Sequence, residues 1–361
     1  MLKACGPGLH WTLVGVLASA VLASVGLAAC GRPATADASS LAHPLELTWV
    51  RTLIQPDTSE TTAWLGRPTK LQHDPVTGHL LALERDDQRI VEFTTEGRFL
   101  GSFGGRGGGP GELRNLLAFE IGADHVTTLD VGNGKLVIFN RDTREMVTEI
   151  RLQHSPRDIT TIADTLLAVL PGPEGALFEF FHTDGRRLGS VGDGGFVGSS
   201  SQCVACSVTY LGEGLLVVLK PTVPEGRIYR LDGTMLNAFA FTELGHVLTE
   251  WREAFLENIR RAGRIVAAGG GGRISAGKIW LGKPAPISGG SFLVEAVPEN
   301  PNRNPTEMWE LDKRGRVTKR YVFDRSWMRA PTVFYPKTYT INYDGSFAID
   351  EHLLPSIADN R

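Results

Sequence analysis

A short pattern that recurs along the chain constrains its fold more than any other feature. In the first clear copy, apolar and polar residues alternate over 89–93, a turn follows at 95–98, and a second alternating segment spans 99–103. The turns are rich in Asp, Gly and Arg. Alternation with a period of two residues, interrupted by turn residues of this kind, predicts a β-hairpin. Four further copies begin at Lys135, Ala176, Gly226 and Glu307.

Each hairpin is preceded by one more short segment of strand character, such as 79–83 before the first copy and 125–129 before the second. Equivalent phenylalanines, Phe93, Phe139 and Phe180, are 46 and 41 residues apart. The 42 Gly and 20 Pro residues of the chain supply many turns. Units of three or four strands that repeat at this period predict an all-β chain folded as a β-propeller.

The number of repeats predicts the number of blades. Five units are complete, and a sixth is partial at 339–349. An early segment of strand character, 45–51, has no unit of its own. We expect it to pair with the last unit and close a ring of six blades, because closure removes exposed sheet edges. Seven blades are the alternative. Residues 246–262 interrupt the strand pattern with apolar residues at helical spacing, which predicts one inserted amphipathic helix.

The first thirty residues have the features of a secretory signal: one Lys near the start, an almost uncharged run over 11–29, and small residues before a cleavage site. The run LAAC, which ends at Cys30, resembles the lipobox of bacterial lipoproteins. In that family the peptide is cut before the cysteine, whose thiol receives a diacylglyceride. The resemblance implies a signal peptide at 1–29 and a membrane anchor at Cys30. An uncleaved membrane-spanning helix and a plain secreted form are the alternatives.

The segment after the cysteine is expected to be a tether. Residues 31–44 are mostly small or polar and include two prolines, a composition typical of flexible linkers. The expected organisation is therefore a signal peptide at 1–29, a lipidated tether at 30–44 and a six-bladed propeller at 45–361. Gly31 stands where enteric bacteria have the Asp that retains lipoproteins at the inner membrane. This favours the outer membrane, with the propeller facing the periplasm or the exterior.

The first repeats also resemble a known propeller family. They are similar to the NHL-type six-bladed propellers of bacterial envelope proteins. The motifs that carry the resemblance are GRP at 66–68, DDQRI at 86–90 and GGRGGGPGEL at 104–113. The resemblance covers most of 45–355 in pattern but only the first two blades in motif, and Asn115 stands where the family often has Pro. It implies a fold more than an activity.

Charge and cysteine content limit the partners. The net charge of −3 gives no basic field for nucleic acid. Cys5 should leave with the signal and Cys30 should be acylated, so Cys203 and Cys206 remain. Because an envelope compartment is oxidising, we expect these two to pair as a disulfide. Free thiols and a redox or metal site are the alternatives, although Ser207 stands where haem attachment needs His and no second pair supplies zinc ligands.

Polar residues near the ends of the predicted inner strands are candidate ligands in the central channel. They are His73, Asp74, Asp130, Asn133, Asp158 and Asp164. Turn carboxylates commonly bond their own backbone, so no catalytic residue is assigned among them. The Gly-rich loop at 104–111 lacks the Gly-Lys-Ser/Thr ending of a phosphate-binding loop and is expected to connect two blades.

These features favour a membrane-anchored scaffold that needs no cofactor. Its lipid partner is the membrane, through acylated Cys30, and its blade loops would bind a protein, peptide or glycan. The alternative is a propeller enzyme of lactonase or lyase type with a divalent cation in the central channel. That alternative requires three or more oxygen or nitrogen ligands to converge on one point. A redox role for the cysteine pair is a third hypothesis.

Overall fold

The computed structural model of the protein describes residues 34–35, 45–54, 65–198, 206–220, 225–241, 283–296, 307–323, 329–334, 337–343 and 347–353. These residues form β-strands joined by turns, with short 3₁₀ segments at Pro173–Gly175, Gly194–Phe196 and Ser288–Gly290. The predicted signal peptide, Cys30, Cys203 and the predicted helix at 246–262 lie outside the described residues.

Two strands come from the N-terminal part, β1 (Ala34–Thr35) and β2 (Leu45–Ile54). Four blades follow in chain order, and in each of them four consecutive strands pair antiparallel with their neighbours. Blade 1 is β3 (Pro68–His73), β4 (Leu80–Glu84), β5 (Arg89–Phe93) and β6 (Phe99–Gly104). Blade 2 is β7 (Leu116–Ile121), β8 (His125–Asp130), β9 (Lys135–Asn140) and β10 (Met146–Arg151). Blade 3 is β11 (Asp158–Ile162), β12 (Leu166–Leu170), β13 (Ala176–His182) and β14 (Arg187–Asp193). Blade 4 is β15 (Ser207–Gly212), β16 (Leu215–Lys220), β17 (Glu225–Arg230) and β18 (Met235–Ala240).

The last two blades belong to one eight-stranded sheet. Blade 5 is β19 (Ala285–Pro286), β20 (Phe292–Ala296), β21 (Glu307–Leu311) and β22 (Val317–Phe323). Blade 6 contains β23 (Arg329–Phe334), β24 (Lys337–Tyr343) and β25 (Phe347–Leu353). The all-β propeller predicted from the repeats is confirmed, and the described strands form six blades.

Strand β2 joins blades 5 and 6 and completes the ring. Its first three residues, Leu45 to Leu47, pair parallel with β22 of blade 5. Its remainder pairs antiparallel with β25, beginning with Thr48 opposite Leu353. Strand β2 is thus the fourth strand of blade 6. The predicted closure by the early unassigned segment is confirmed.

Apolar side chains fill the spaces between neighbouring blades. Buried Leu83 of blade 1 packs in one cluster with Phe119 and Val126 of blade 2. Leu80 of blade 1 packs in another cluster with Tyr339 of blade 6. The first and last blades therefore share a hydrophobic core, and the ring is held by packing as well as by strand pairing.

The turn between the third and fourth strands of a blade rests on the fourth strand of the preceding blade. In blade 4 this turn contains Gly233, with φ of +84°. A β-carbon on Gly233 would lie 2.6 Å from the Cα of Gly192 in β14. In blade 5 the equivalent Gly315 lies against Phe239 of β18 in the same way. Only glycine provides both the left-handed backbone conformation and the close approach.

We expect the closing strand to be tested most directly by Leu47→Ala. Leu47 is 2% exposed and packs with Leu293, Met308 and Tyr321 of blade 5. Loss of three buried carbons, one methine and two methyl groups, should lower the free energy of unfolding by about 2–3 kcal/mol, measured by urea titration. The matched control is Val50→Ala in the same strand, because Val50 is 37% exposed. Equal losses of unfolding free energy in the two variants would show that the packing of β2 does not stabilise the closed ring.

Two residues of the predicted tether are ordered in a strand. Ala34 and Thr35 pair parallel with Phe239 and Ala240 of β18, on the outer edge of blade 4. The other residues of the predicted tether lie outside the described residues, so its flexibility stays a prediction. Among the described residues, no helix has the length and apolar character needed to cross a membrane.

Candidate functional site

The first strand of each blade lines the axis of the propeller. Around the ring, β3 contacts β7 and β23, β11 contacts β7 and β15, and β15 contacts β19. Side chains alternate along a strand, so residues two apart point to the same side. Lys70 and Gln72 of β3 are such a pair, and both reach residues of other blades.

The central charge cluster consists of Lys70, Gln72, Glu120, Asp158 and Lys283. These residues come from β3, β7, β11 and the segment just before β19. Blades 1, 2, 3 and 5 therefore all contribute to one group of polar side chains. Because several of its contacts run between blades that are not neighbours in the ring, the cluster spans the propeller axis.

Lys283 is the most fully bonded member of the central charge cluster. Its Nζ donates to Glu120 Oε1 at 2.6 Å and to the carbonyl oxygen of Ile159 at 2.7 Å. It also lies 3.0 Å from Asp158 Oδ2. The Thr209 hydroxyl donates to the carbonyl of the next residue, Pro284, at 2.8 Å and holds this segment in place.

Lys70 is bonded much less. Within the described residues its Nζ makes one hydrogen bond, to Asp158 Oδ1 at 3.3 Å. Asp158 is shared, since it also binds Lys283 and accepts the backbone N–H of Val208 at 3.0 Å. The Lys70 side chain is 24% exposed, whereas that of Asp158 is 3% exposed. Within the described residues, the ammonium of Lys70 therefore has fewer hydrogen-bond acceptors than that of Lys283.

Burial and charge shift the pKa values of the cluster in different directions. Burial lowers the pKa of Lys70, and the nearby Lys283 adds to this, so that Asp158 does not compensate. Burial also acts to lower the pKa of Lys283, but Asp158 and Glu120 outweigh it and raise that pKa. Burial acts to raise the pKa of Asp158, and the two lysines outweigh it and lower that pKa. The ammonium of Lys283 is therefore stabilised in the fold, and that of Lys70 is not.

Of the six residues predicted for the channel, the structure places Asp158 in the central charge cluster. Asp74 instead closes a turn, where its carboxylate accepts the Val76 N–H at 2.9 Å and the Thr77 hydroxyl at 2.8 Å. Asp130 likewise accepts the backbone N–H groups of Asn115 at 2.9 Å and Gly132 at 3.0 Å. Both carboxylates hold loops between strands.

The other three predicted residues also lie away from the cluster. The ring of half-buried His73 is parallel to that of Tyr339, with centroids 6.4 Å apart. The amide of Asn133 donates to Asp130 at 2.8 Å. Asp164 is an exposed turn residue with φ of +63°. The six residues therefore do not form one ligand set.

Sequence reasoning missed Lys70, Gln72, Glu120 and Lys283. A signal existed for Glu120, in the run LLAFEI, because a charged residue inside a mostly apolar inner strand is unusual, whereas β3 is mostly polar around Lys70 and Gln72. No local signal distinguishes Lys283, whose role depends on contacts with residues 125 and 163 positions away.

The geometry does not fit a divalent cation at the axis. The ammonium of Lys283 occupies the position between Glu120 and Asp158 that a cation would take. Among the residues that the structure describes, no three His, Cys, Asp or Glu side chains are arranged to hold a metal. Cys206 is buried and disulfide-bonded, while the other three cysteines lie outside the described residues, so its pairing with Cys203 stays a prediction.

Comparisons with known proteins agree with this architecture. Residues 72–196, about a third of the chain, match a family model described as a 6-bladed beta-propeller. No curated protein matches the sequence. A protein from Bacteroides fragilis described as exported is 13% identical, with 86% of this chain and 96% of that chain covered and a TM-score of 0.54.

A second solved structure of similar fold is that of a catalytically inactive virginiamycin B lyase from Staphylococcus aureus with quinupristin. It is 10% identical, with 86% of this chain and 95% of that chain covered and a TM-score of 0.51. At such identities the likeness concerns the fold alone. The described strands and the match to the family model together establish that the chain folds as a six-bladed β-propeller.

Proposed function

We propose that the protein is a cell-envelope lipoprotein, anchored through acylated Cys30, whose propeller is a non-enzymatic binding scaffold. Its ligand, part of a protein, peptide or glycan or a small molecule, binds at the central axis. The anchor is supported by the lipobox-like run before Cys30. The exported relative of similar fold is consistent with an envelope location. The lyase reaction belongs to the other protein of similar fold and is not carried over here.

The arrangement of Lys283 is the observation that carries the binding role. This ammonium neutralises both carboxylates of the central charge cluster and leaves no open position for a metal between them. The cluster spans the axis, where side chains from four blades meet. Polar groups that are held in place by several blades are suited to binding, because they are pre-organised.

Membrane extraction followed by intact-mass measurement tests the anchor. We expect a mass equal to residues 30–361 plus acyl chains. Cys30→Ser should shift the protein from the membrane fraction to the soluble fraction, or leave an uncut precursor, because the acyl chains supply the membrane affinity. Cys5→Ser is the matched control, since it removes a cysteine outside the lipobox, and the mature mass should not change. A wild-type mass of the whole chain would refute lipidation.

Metal analysis of the same extracted sample tests the binding role against a metal-dependent enzyme. We expect much less than one equivalent of calcium, zinc or manganese per chain. One tightly bound equivalent would contradict the proposal and favour the enzyme.

A further inference from the structure

The two lysines at the axis are distinguished by their hydrogen-bond partners. Lys283 has acceptors from Glu120, Asp158 and the carbonyl of Ile159. An ammonium has three N–H donors, so Lys283 is fully used. Lys70 has one acceptor within the described residues, at 3.3 Å, which is long for an N–H···O bond. Two donors of Lys70 therefore lack a protein acceptor in this part of the chain.

The neighbouring carboxylates also bind other groups. Glu120 Oε1 accepts from Lys283 at 2.6 Å and from Gln72 at 3.0 Å. Asp158 is shared with Lys283 and with the backbone N–H of Val208. A partly desolvated cation with unused donors is unfavourable unless water or a ligand supplies acceptors. The Lys70 side chain is 24% exposed, so it is not sealed from solvent along its whole length.

We infer that Lys70 is a binding residue for an oxyanion of the ligand, a carboxylate or a phosphate group, at the axis of the propeller. This inference rests on the proposed binding function and specifies the chemistry of its ligand. An oxyanion supplies two or more acceptors to the unused donors. An anionic acceptor adds Coulombic attraction to the hydrogen bond, and this attraction is stronger in a partly buried site, so an oxyanion is favoured over a carbonyl or hydroxyl. Lys283 acts as a positioning residue, because it holds the shared Asp158.

Amine-directed acylation of the full chain, read out by peptide mass spectrometry, tests this inference residue by residue. The probes are acetate and inorganic phosphate, with chloride at the same ionic strength as reference. At least one probe should slow the labelling of Lys70 threefold or more. Acetate alone would identify a carboxylate ligand, and phosphate alone a phosphate ligand. The labelling rate of Lys313, whose side chain is 56% exposed on the rim, should not change.

Calorimetry on variants provides a second readout that does not depend on labelling. We expect Lys70→Met to weaken binding of the effective probe at least tenfold. Lys313→Met is the matched control, because it removes the same charge far from the axis, and its affinity should equal that of the wild type. Equal affinity of Lys70→Met and wild type would overturn the inference, as would equal protection of Lys70 and Lys313. A protein that is unlipidated but still shows selective Lys70 protection would refute the anchor and leave this site intact.

Discussion

Replacement of Lys283 by methionine should lower the free energy of unfolding by about 3–5 kcal/mol at neutral pH. The substitution keeps much of the side-chain length but removes the ammonium that Glu120, Asp158 and Ile159 surround. The buried carboxylate of Asp158 and the partly buried carboxylate of Glu120 would then have too little positive charge nearby. Breaking a buried ion pair by removing one partner is strongly destabilising for this reason. Urea titration followed by circular dichroism measures the change.

Lys70→Met is the matched control for this prediction. It makes the same chemical change in the same cluster, but Lys70 has one long hydrogen bond, and burial lowers its pKa. A charge that the fold disfavours contributes little stability when present, so we expect a change of less than about 1 kcal/mol in either direction. If the two variants lose equal stability, the structural role of Lys283 and the spare capacity of Lys70 are both wrong.

Gly233→Ala should lower the free energy of unfolding by about 2–5 kcal/mol. A residue with a side chain at φ of +84° is strained, and the added β-carbon would lie 2.6 Å from backbone atoms of Gly192. Backbone on both sides leaves no flexible side chain to move aside. Blades 3 and 4 would have to separate locally. Thermal unfolding should show the loss as a clear fall in the midpoint temperature.

Gly214→Ala separates the two causes. Gly214 also has positive φ, +73°, but a β-carbon there would meet nothing within 4 Å. Gly214→Ala should lower the free energy of unfolding by about 1–2 kcal/mol, which is the strain of the left-handed conformation alone. The difference between the two variants measures the close approach of the blade 4 turn to blade 3. No difference would mean that this contact can relax freely.

The blades could be predicted from sequence because their information is local. Each hairpin has alternating residues and a turn within about fifteen positions, and these segments became the third and fourth strands of blades 1 to 5. Closure of the ring by β2 could be predicted because the segment 45–51 belongs to no repeat unit. An open sheet edge is also unfavourable. Asp74 and Asp130 turned out to bind their own loops, as turn chemistry favours.

The central charge cluster could not be predicted in the same way. Whether an inner-strand side chain meets another depends on the relative heights of blades that are distant in sequence. Lys70 and Asp158 are 88 residues apart, and Lys283 and Glu120 are 163 apart. Asp158 was a candidate channel ligand under the alternative of a metal-dependent enzyme, yet the cation that it shares with Glu120 is the ammonium of Lys283. Neither the composition nor the spacing of residues in the sequence indicates that a lysine ammonium lies between the two carboxylates.

The double pairing of β2 also sets an order on biosynthesis. The Arg51 guanidinium lies 3.2 Å from Glu351, a residue 300 positions later. During synthesis β2 emerges before any blade, and its antiparallel partner β25 emerges after all the others. Blade 6 therefore cannot be completed until nearly the whole chain is available, and nascent blades must persist with an open ring. Such long-range pairing slows folding and exposes unpaired edges to aggregation. The pairing of β25 therefore determines when these edges are no longer open to aggregation with other molecules.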